Sequence, residues 1–451
     1  MAEPAKTAAV IGGGWAGCSA AVALAQAGYK VTMFEAARTL GGRARAVDVQ
    51  GKRLDNGQHI LLGAYSETLR LLKTVGIDPA AAMLNLPLQM RYPKLGNGMD
   101  FVAPRLPAPL HLAVALLRAK GLTGADKMSL ARFSTTARWM DWRLHHDCSV
   151  TELLDRFDQT DRLIQLMWRP LCLAALNTPP ERASAQVFLN VLRDSLGARR
   201  SASDMLLPRT DLSALFPTAA ATFICERGGA VRTGAKVGAV TPHGQAWKVD
   251  ATGNDVDGNW SVYVDVAVLA AGAPSTAVLL GKLGQGELAT RLMAFEYEPI
   301  TTCYLQYGAN VRLDLPFYAL LDEPADGHWG QFVFDRGQLD PAQAGMLSVV
   351  VSAASAASAL ERADLARAVG AQLAAAFGRP ELATPQWTQV ISEKRATFAC
   401  TPALDRPGNE VGVPGLAIAG DYTASDYPAT LESAIRSGVG AVKAIQAQRI
   451  K

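Results

Sequence analysis

With 451 residues, the chain is too long for one simple core, and two closely packed domains are expected. Hydrophobic residues make up 49% and charged residues 19%, the balance of a folded globular protein rather than a disordered one. The formal charge is +3 and no basic run exceeds Arg199-Arg200, which excludes nucleic acid as a partner on electrostatic grounds.

The six cysteines are scattered, with no CxxC and no histidine at zinc spacing. Neither a disulfide framework nor a metal site is expected, and a reducing, cytoplasmic setting fits best. Met1 to Thr7 leads into a strand without the charged and apolar regions of a signal peptide. No apolar run reaches the roughly 18–20 residues that span a bilayer.

Along the chain, Thr7 to Ile11 has a short buried-strand pattern, and Ala16 to Ala27 forms a helix stopped at Gly28. Tyr29 to Phe34 is a second strand, closed by Glu35. Residues 85–220 lack strong alternation and carry many prolines, which predicts a mostly helical insertion. Within it, Trp139 and Trp142 are three apart and are expected on one helix face, and Trp168, Leu171 and Leu173 around a further turn. His145-His146-Asp147 reads as a solvated helix face, because adjacent side chains point apart on a helix.

Alternation returns after residue 221. Val231, Val237 and Val240 mark short strands, and Val262 to Ala271 reads as one strand ending at Gly272. Strands are expected at Thr301 to Tyr307 and Met346 to Ser352, with an Ala-rich helix from Ser358 to Phe377. Leu416 to Ala419 is a buried strand, and a last helix runs from about Thr430 to Gln448.

The chemistry starts at Gly12-Gly13-Gly14-Trp15-Ala16-Gly17, a GxGxxG string set between a strand and a helix. Gly12 serves the tight turn and Gly14 the close approach of a pyrophosphate. Gly17 lets helix and strand pack together. Trp15 and Ala16 open the helix, whose free N–H groups attract phosphate. Glu35 stands 18 residues after Gly17, where a carboxylate accepts hydrogen bonds from an unphosphorylated ribose, with Ala36 beside it. No second fingerprint exists, because Gly438-Val439-Gly440 has no strand before it, so reducing electrons are expected from an external donor.

Leu40-Gly41-Gly42-Arg43-Ala44-Arg45 adds a second Gly-rich loop, with Arg43 as counter-charge to a diphosphate. This pattern resembles the amine oxidase and phytoene desaturase superfamily of flavoproteins. The resemblance implies FAD held by a Rossmann-like α/β domain of the two-dinucleotide-binding type, beside a substrate domain of mixed sheet and helices. Residues 1–84, 221–290 and 406–451 would make the FAD domain, and 85–220 with 291–405 the substrate domain. The same resemblance places Gly42, Arg43, Gly57, Gln58, His59, Val237 and Ala271 at the cofactor. It also places there Gly420 and Asp421 after the last strand, and Leu431, Glu432 and Ala434 at the head of the last helix.

The string Leu54-Asp55-Asn56-Gly57-Gln58-His59-Ile60-Leu61-Leu62-Gly63-Ala64-Tyr65 is similar to the hydroxysqualene dehydroxylases. Trp168-Arg169-Pro170-Leu171, Ala185-Gln186-Val187-Phe188 and Glu393-Lys394-Arg395-Ala396-Thr397-Phe398 extend the likeness. That resemblance implies reduction of hydroxysqualene to squalene, with loss of the hydroxyl as water. His59 is the expected proton donor, ahead of Gln58, Tyr65, Asp141 and Tyr427. Pro109 to Lys120, apolar and basic at its end, is a candidate for contact with a membrane surface. Two rivals are a carotenoid-type desaturase or amine oxidase on the same scaffold, and a flavin-free lipid escort. The aromatic cage and lysine of an amine oxidase are not located in the sequence, and the escort has no use for Glu35, Arg43, Asp421 and Glu432.

Overall fold

The computed structural model describes residues 6–94, 97–253 and 259–448. The lead-in at residues 1–5 lies outside them. One sheet has five strands, all parallel, in the order Ala230–Thr233, Lys30–Glu35, Thr7–Ile11, Val266–Leu269, Leu416–Ile418. Parallel strands covered on both faces read as continuous apolar runs, and Val266–Leu269 and Leu416–Ile418 are buried at every position. The first helix, Trp15–Gln26, lies on this sheet with ten of its twelve residues buried. The last helix, Leu431–Gln448, packs across it at Gly438, whose added Cβ would stand 1.9 Å from Ser19 Oγ and 2.2 Å from Ala16 O. Only glycine permits that crossing.

The second large sheet is antiparallel, ordered Phe317–Ala319, Phe332–Asp335, Met346–Val351, Tyr297–Gln306, Trp387–Phe398. Its register pairs Thr302 with Val350, Tyr304 with Ser348 and Phe334 with both Ser348 and Phe317. Period-two alternation therefore sets these side chains on one face. The opposite face carries Cys303, Leu305, Val349 and Val351 against Leu365, Val369 and Leu373 of the helix Arg362–Phe377. On the first face, Phe317, Phe332, Phe334 and Val350 join one core with Trp168, Phe188 and Leu192 of the 85–220 insertion.

Several expectations change. The strand read from Val262 to Ala271 is two strands, Asn259–Val264 in a separate three-stranded sheet and Val266–Leu269 in the parallel one. Asp265 makes the break, its carboxylate accepting from the backbone N–H and hydroxyl of Thr7. The insertion is helical but includes the strands Met83–Leu86, Gln89–Arg91, Asp100–Val102 and Met205–Pro208, too short to show a period. Trp387–Phe398 was not anticipated, since Glu393-Lys394-Arg395 breaks its alternation at a sheet edge.

Trp139 and Trp142 do not share a face. The helix Gly124–Trp139 ends there, and Asp141 and Trp142 adopt φ of 52° and 57°. That left-handed turn folds Trp142 into the core and leaves Trp139 86% exposed. Trp168 and Leu173 are buried core residues, with Leu171 partly buried beside them. His145 and His146 lie exposed in a loop, not on a helix. Asp147 anchors that loop by accepting from Ser184 Oγ, Gln186 N and Ala403 N. No helix among the described residues is long and apolar enough to cross a membrane.

Gly438→Val tests the helix crossing. Overpacking of this kind costs about 1–3 kcal/mol or more. The variant is expected to melt at a lower temperature than the parent; an unchanged melting temperature would show that the two helices separate freely.

Candidate active site

The carboxyl edge of the parallel sheet brings the glycine motif together. Gly12 has φ +109°, and a Cβ there would lie 2.6 Å from Ala270 O. A Cβ on Gly17 would meet Gly12 O at 1.8 Å. Both glycines are thus required by protein backbone. Gly14 differs: its added Cβ meets nothing nearer than Gly42 Cα at 3.9 Å. The space over Gly14 is open, at the N-terminus of the first helix, where N–H groups point outward.

The second loop lies against the first. Gly41 N–H donates to Gly13 O at 2.8 Å, and Trp15 Nε1 donates to Ala44 O at 2.9 Å. Gly41 and Gly42 take φ of +110° and +61°, conformations that favour glycine. Glu35 accepts from Gly13 N at 2.6 Å and from Ala37 N at 2.8 Å, fixing its carboxylate beside the turn. Ala36 is exposed next to it, and Ala16 is buried in the helix. Gly234 N–H donates to Ala37 O, which carries the following strand and Val237 towards Glu35. Ala271 N sits 2.8 Å from the position of a Gly12 Cβ.

Arg43 does not stand alone as a counter-charge. It forms an ion pair with Asp421 at 2.6 Å and donates to Ala396 O at 2.7 Å. The pair joins residues 378 positions apart and closes the edge of the sheet from both ends of the chain. Gly420 N–H donates to Ser437 Oγ, so the last helix holds the loop after the last parallel strand.

Gln58 is gripped from the antiparallel sheet. Its Nε2 donates to Tyr304 Oη at 2.8 Å, and its Oε1 accepts from Arg336 at 2.8 Å. Tyr304 Oη donates in turn to Asp55 O. Asp55 and Arg336 are each 4% exposed and 3.9 Å apart. Burial pushes the Asp55 carboxyl up to about 6, with Arg336 and the Leu212 N–H pulling it back. Tyr304 and Arg336 escaped sequence reading because their partners lie 246 and 278 positions away. Thr302, on the same face as Tyr304, has a buried hydroxyl without a partner, 3.9 Å from the position of a Gly57 Cβ.

His59 Nδ1 donates to Gly57 O at 3.1 Å. Burial lowers its pKa; the Gly57 bond opposes this and the Arg43 cation adds to it. The neutral ring therefore dominates near neutrality, with Nε2 left as an acceptor.

Glu432 has a different setting from the one expected. Its carboxylate accepts from Glu67 N, Thr68 N, Thr68 Oγ1 and Arg436 Nε. It caps the helix Ser66–Thr74, which needs those N–H groups satisfied. Leu431 is buried, and Ala434 N–H donates to Thr430 O as the last helix begins. Asp141 is exposed beside Arg143 and faces no site. Tyr65 packs near Glu432, and burial pushes its hydroxyl pKa up. Tyr427 donates to Asp194, which Arg193 also holds; burial and that carboxylate raise Tyr427 to about 12.

These features bear comparison with known proteins. The profile of flavin containing amine oxidoreductases matches residues 15–446. The hydroxysqualene dehydroxylase of Rhodopseudomonas palustris is 30% identical over 96% of each chain, and that of Sinorhizobium fredii 26% over 96% of each. Among solved structures, a putative protoporphyrinogen oxidase from Exiguobacterium superimposes with a TM-score of 0.68 at 17% identity, covering 98% of this chain and 99% of that one.

The residues fit FAD. Glycine loops frame an open space at a helix N-terminus, the Glu35 carboxylate is fixed beside that turn at the end of the second strand, and the buried Thr302 hydroxyl has no partner among the described residues. Gly14→Val should lose flavin yet keep a cooperative melt, because a Cβ added there meets no protein atom nearer than Gly42 Cα at 3.9 Å. Stoichiometric FAD in that variant would move the pyrophosphate elsewhere. Backbone geometry that only glycine permits thus agrees with a match across nearly the whole chain: this protein belongs to the flavin-containing amine oxidoreductase family and is an FAD-dependent oxidoreductase.

Proposed function

We propose that the enzyme reduces hydroxysqualene to squalene, in the biosynthesis of hopanoid or sterol precursors. The observation that carries this reading is the end-to-end likeness to hydroxysqualene dehydroxylases. The net change takes up a hydride and a proton, breaks the allylic C–O bond, forms a C–H bond and releases water. Bound FAD, in its reduced form, supplies the hydride. An external electron donor and a cytoplasmic enzyme at the inner face of the cell membrane belong to the same reading.

The chain's own residues supply the surroundings. Phe317, Phe332, Phe334 and Val350 form an apolar wall, with Trp168 and Phe188 in the same core. Such a wall suits a C30 hydrocarbon and keeps water from a developing allylic cation. Gln58, held by Tyr304 and Arg336, keeps the Asp55–Ile60 segment rigid against that sheet. His59 is our candidate proton donor. Its lowered pKa makes the protonated ring a stronger acid and a scarcer one, so the proton must be taken up before it is delivered.

The reaction is tested without oxygen, by mixing chemically reduced enzyme with hydroxysqualene in D2O. Squalene carrying deuterium at the former carbinol carbon is expected, since flavin N5 exchanges with solvent. Squalene without the label there would exclude hydride transfer from flavin.

His59→Asn separates donation from positioning. If His59 delivers the proton, the variant keeps FAD and loses about 10²- to 10⁴-fold in single-turnover rate. The parent rate should rise as pH falls, along a limb centred below the ordinary histidine value of 6.5, because only the protonated ring donates. The variant should lack that limb. A loss under about tenfold, with the limb unchanged, would assign the proton to another group.

A further inference from the structure

Nine large hydrophobic side chains are exposed among the described residues, and five of them fall between Leu106 and Trp139. Four of the five lie on two helices, Leu110–Arg118 and Gly124–Trp139, and Leu106 precedes the first. On the first, Leu110, Ala113 and Leu117 share one outward face, opposite buried His111 and Ala115. On the second, Met128, Arg132, Thr135 and Trp139 line the outward face, opposite buried Ser129, Leu130, Phe133 and Ala137. The helices run side by side in opposite directions: Lys127 Nζ at the start of the second donates to Leu117 O at the end of the first. At the other end, Arg138 is close enough to His111 to help depress its pKa. Leu117 is 74% exposed, Met128 60% and Trp139 86%.

Charge on this surface is predominantly positive. Residues 104–146 carry seven Lys/Arg and two Asp, against a net +3 for the whole chain, so the protein's cationic surplus sits here. Asp126 is buried in a helix cap, which leaves Asp141 as the acid at the surface. Among the described residues, Arg105, Arg118, Lys120, Arg132 and Arg138 have no carboxylate partner. Exposed leucines and a tryptophan interleaved with unpaired cations match the boundary of a bilayer, where apolar side chains enter the acyl region and cations meet lipid phosphates. A second copy of the chain seated on this face would set these cations against like charges, whereas an anionic lipid surface complements them.

We propose that these two helices form a docking surface for a bilayer containing anionic phospholipid. The proposal deepens the membrane placement given above and rests on it; its residues are other than those of the proposed reaction, which explains why a lipid phase is the useful partner. A long isoprenoid partitions into that phase.

The test uses full-length, FAD-loaded protein and vesicles without isoprenoid, floated on a density gradient. The parent should float with phosphatidylcholine vesicles that contain phosphatidylglycerol and much less with phosphatidylcholine alone. High salt should release it as the screening length shrinks to about 3 Å at 1 M. Leu117→Glu with Trp139→Glu should lower vesicle affinity by about tenfold or more while flavin content and melting stay as in the parent. Arg118→Gln, Arg132→Gln and Arg138→Gln should each lower affinity for the anionic vesicles by roughly fivefold. A parent that does not float, or a Leu117→Glu/Trp139→Glu variant that floats equally well, overturns the proposal. So does a parent dimer in sedimentation that this variant converts to monomer, since the face would then join two copies of the chain. Floating protein that fails to reduce hydroxysqualene would leave the surface standing and remove the reaction.

Discussion

Everything at the cofactor edge depends on one contact, the approach of the first helix to the first strand at Gly17 and Gly12. A Cβ at Gly17 would lie 1.8 Å from Gly12 O, so any side chain there would push the helix off the turn. With the helix seated, its N-terminus faces the carboxyl ends of the parallel strands, and the loop at Gly41 can bond to Gly13 O. The last helix then crosses the first at Gly438, again at backbone distance, and brings Ser437 to Gly420 N–H. Close backbone approach at these glycines sets where Arg43 and Asp421 meet. The ion pair follows from the packing.

Much of this frame was legible because its signals are local. The strand at Thr7–Ile11, the stop at Gly28 and the last helix fall within a residue or so of where composition and periodicity put them. The glycine fingerprint could be read because each glycine answers to one steric demand. Partners fixed by long loops were not legible. Nothing near Gln58 announces Tyr304 and Arg336, and nothing near Glu432 announces the backbone of Glu67 and Thr68. Trp142 misled for a related reason. Three-residue spacing implies a shared face only while the helix continues, and two left-handed residues end it.

The two sheets contribute unlike things. The parallel sheet offers backbone: N–H groups, open space over Gly14, and strand ends that converge from distant parts of the chain. The antiparallel sheet offers side chains, aromatic on one face and aliphatic on the other, with Tyr304 and Thr302 where that wall meets the Asp55–Ile60 segment. The reaction we propose, on a hydrocarbon beside a polar cofactor, would call for such a division, because one surface must satisfy phosphates while the other excludes water.

The carboxylates around the site are consistent with this division, since each is pinned. Asp421 is held by Arg43, Glu35 by two backbone N–H groups, and Asp194 by Arg193 and Tyr427. Glu432 has four donors, and Asp55 has the Leu212 N–H with Arg336 close by. In the reaction we propose, a positive charge developing on an allylic carbon would attract any loose anion, and reorganisation of such a group would consume part of the catalytic advantage. Carboxylates already committed to hydrogen bonds act as fixed dipoles and need not move during the reaction. Two groups here keep a protonation that can vary: Asp55, whose carboxyl burial raises to about 6, and His59, whose pKa burial and Arg43 depress.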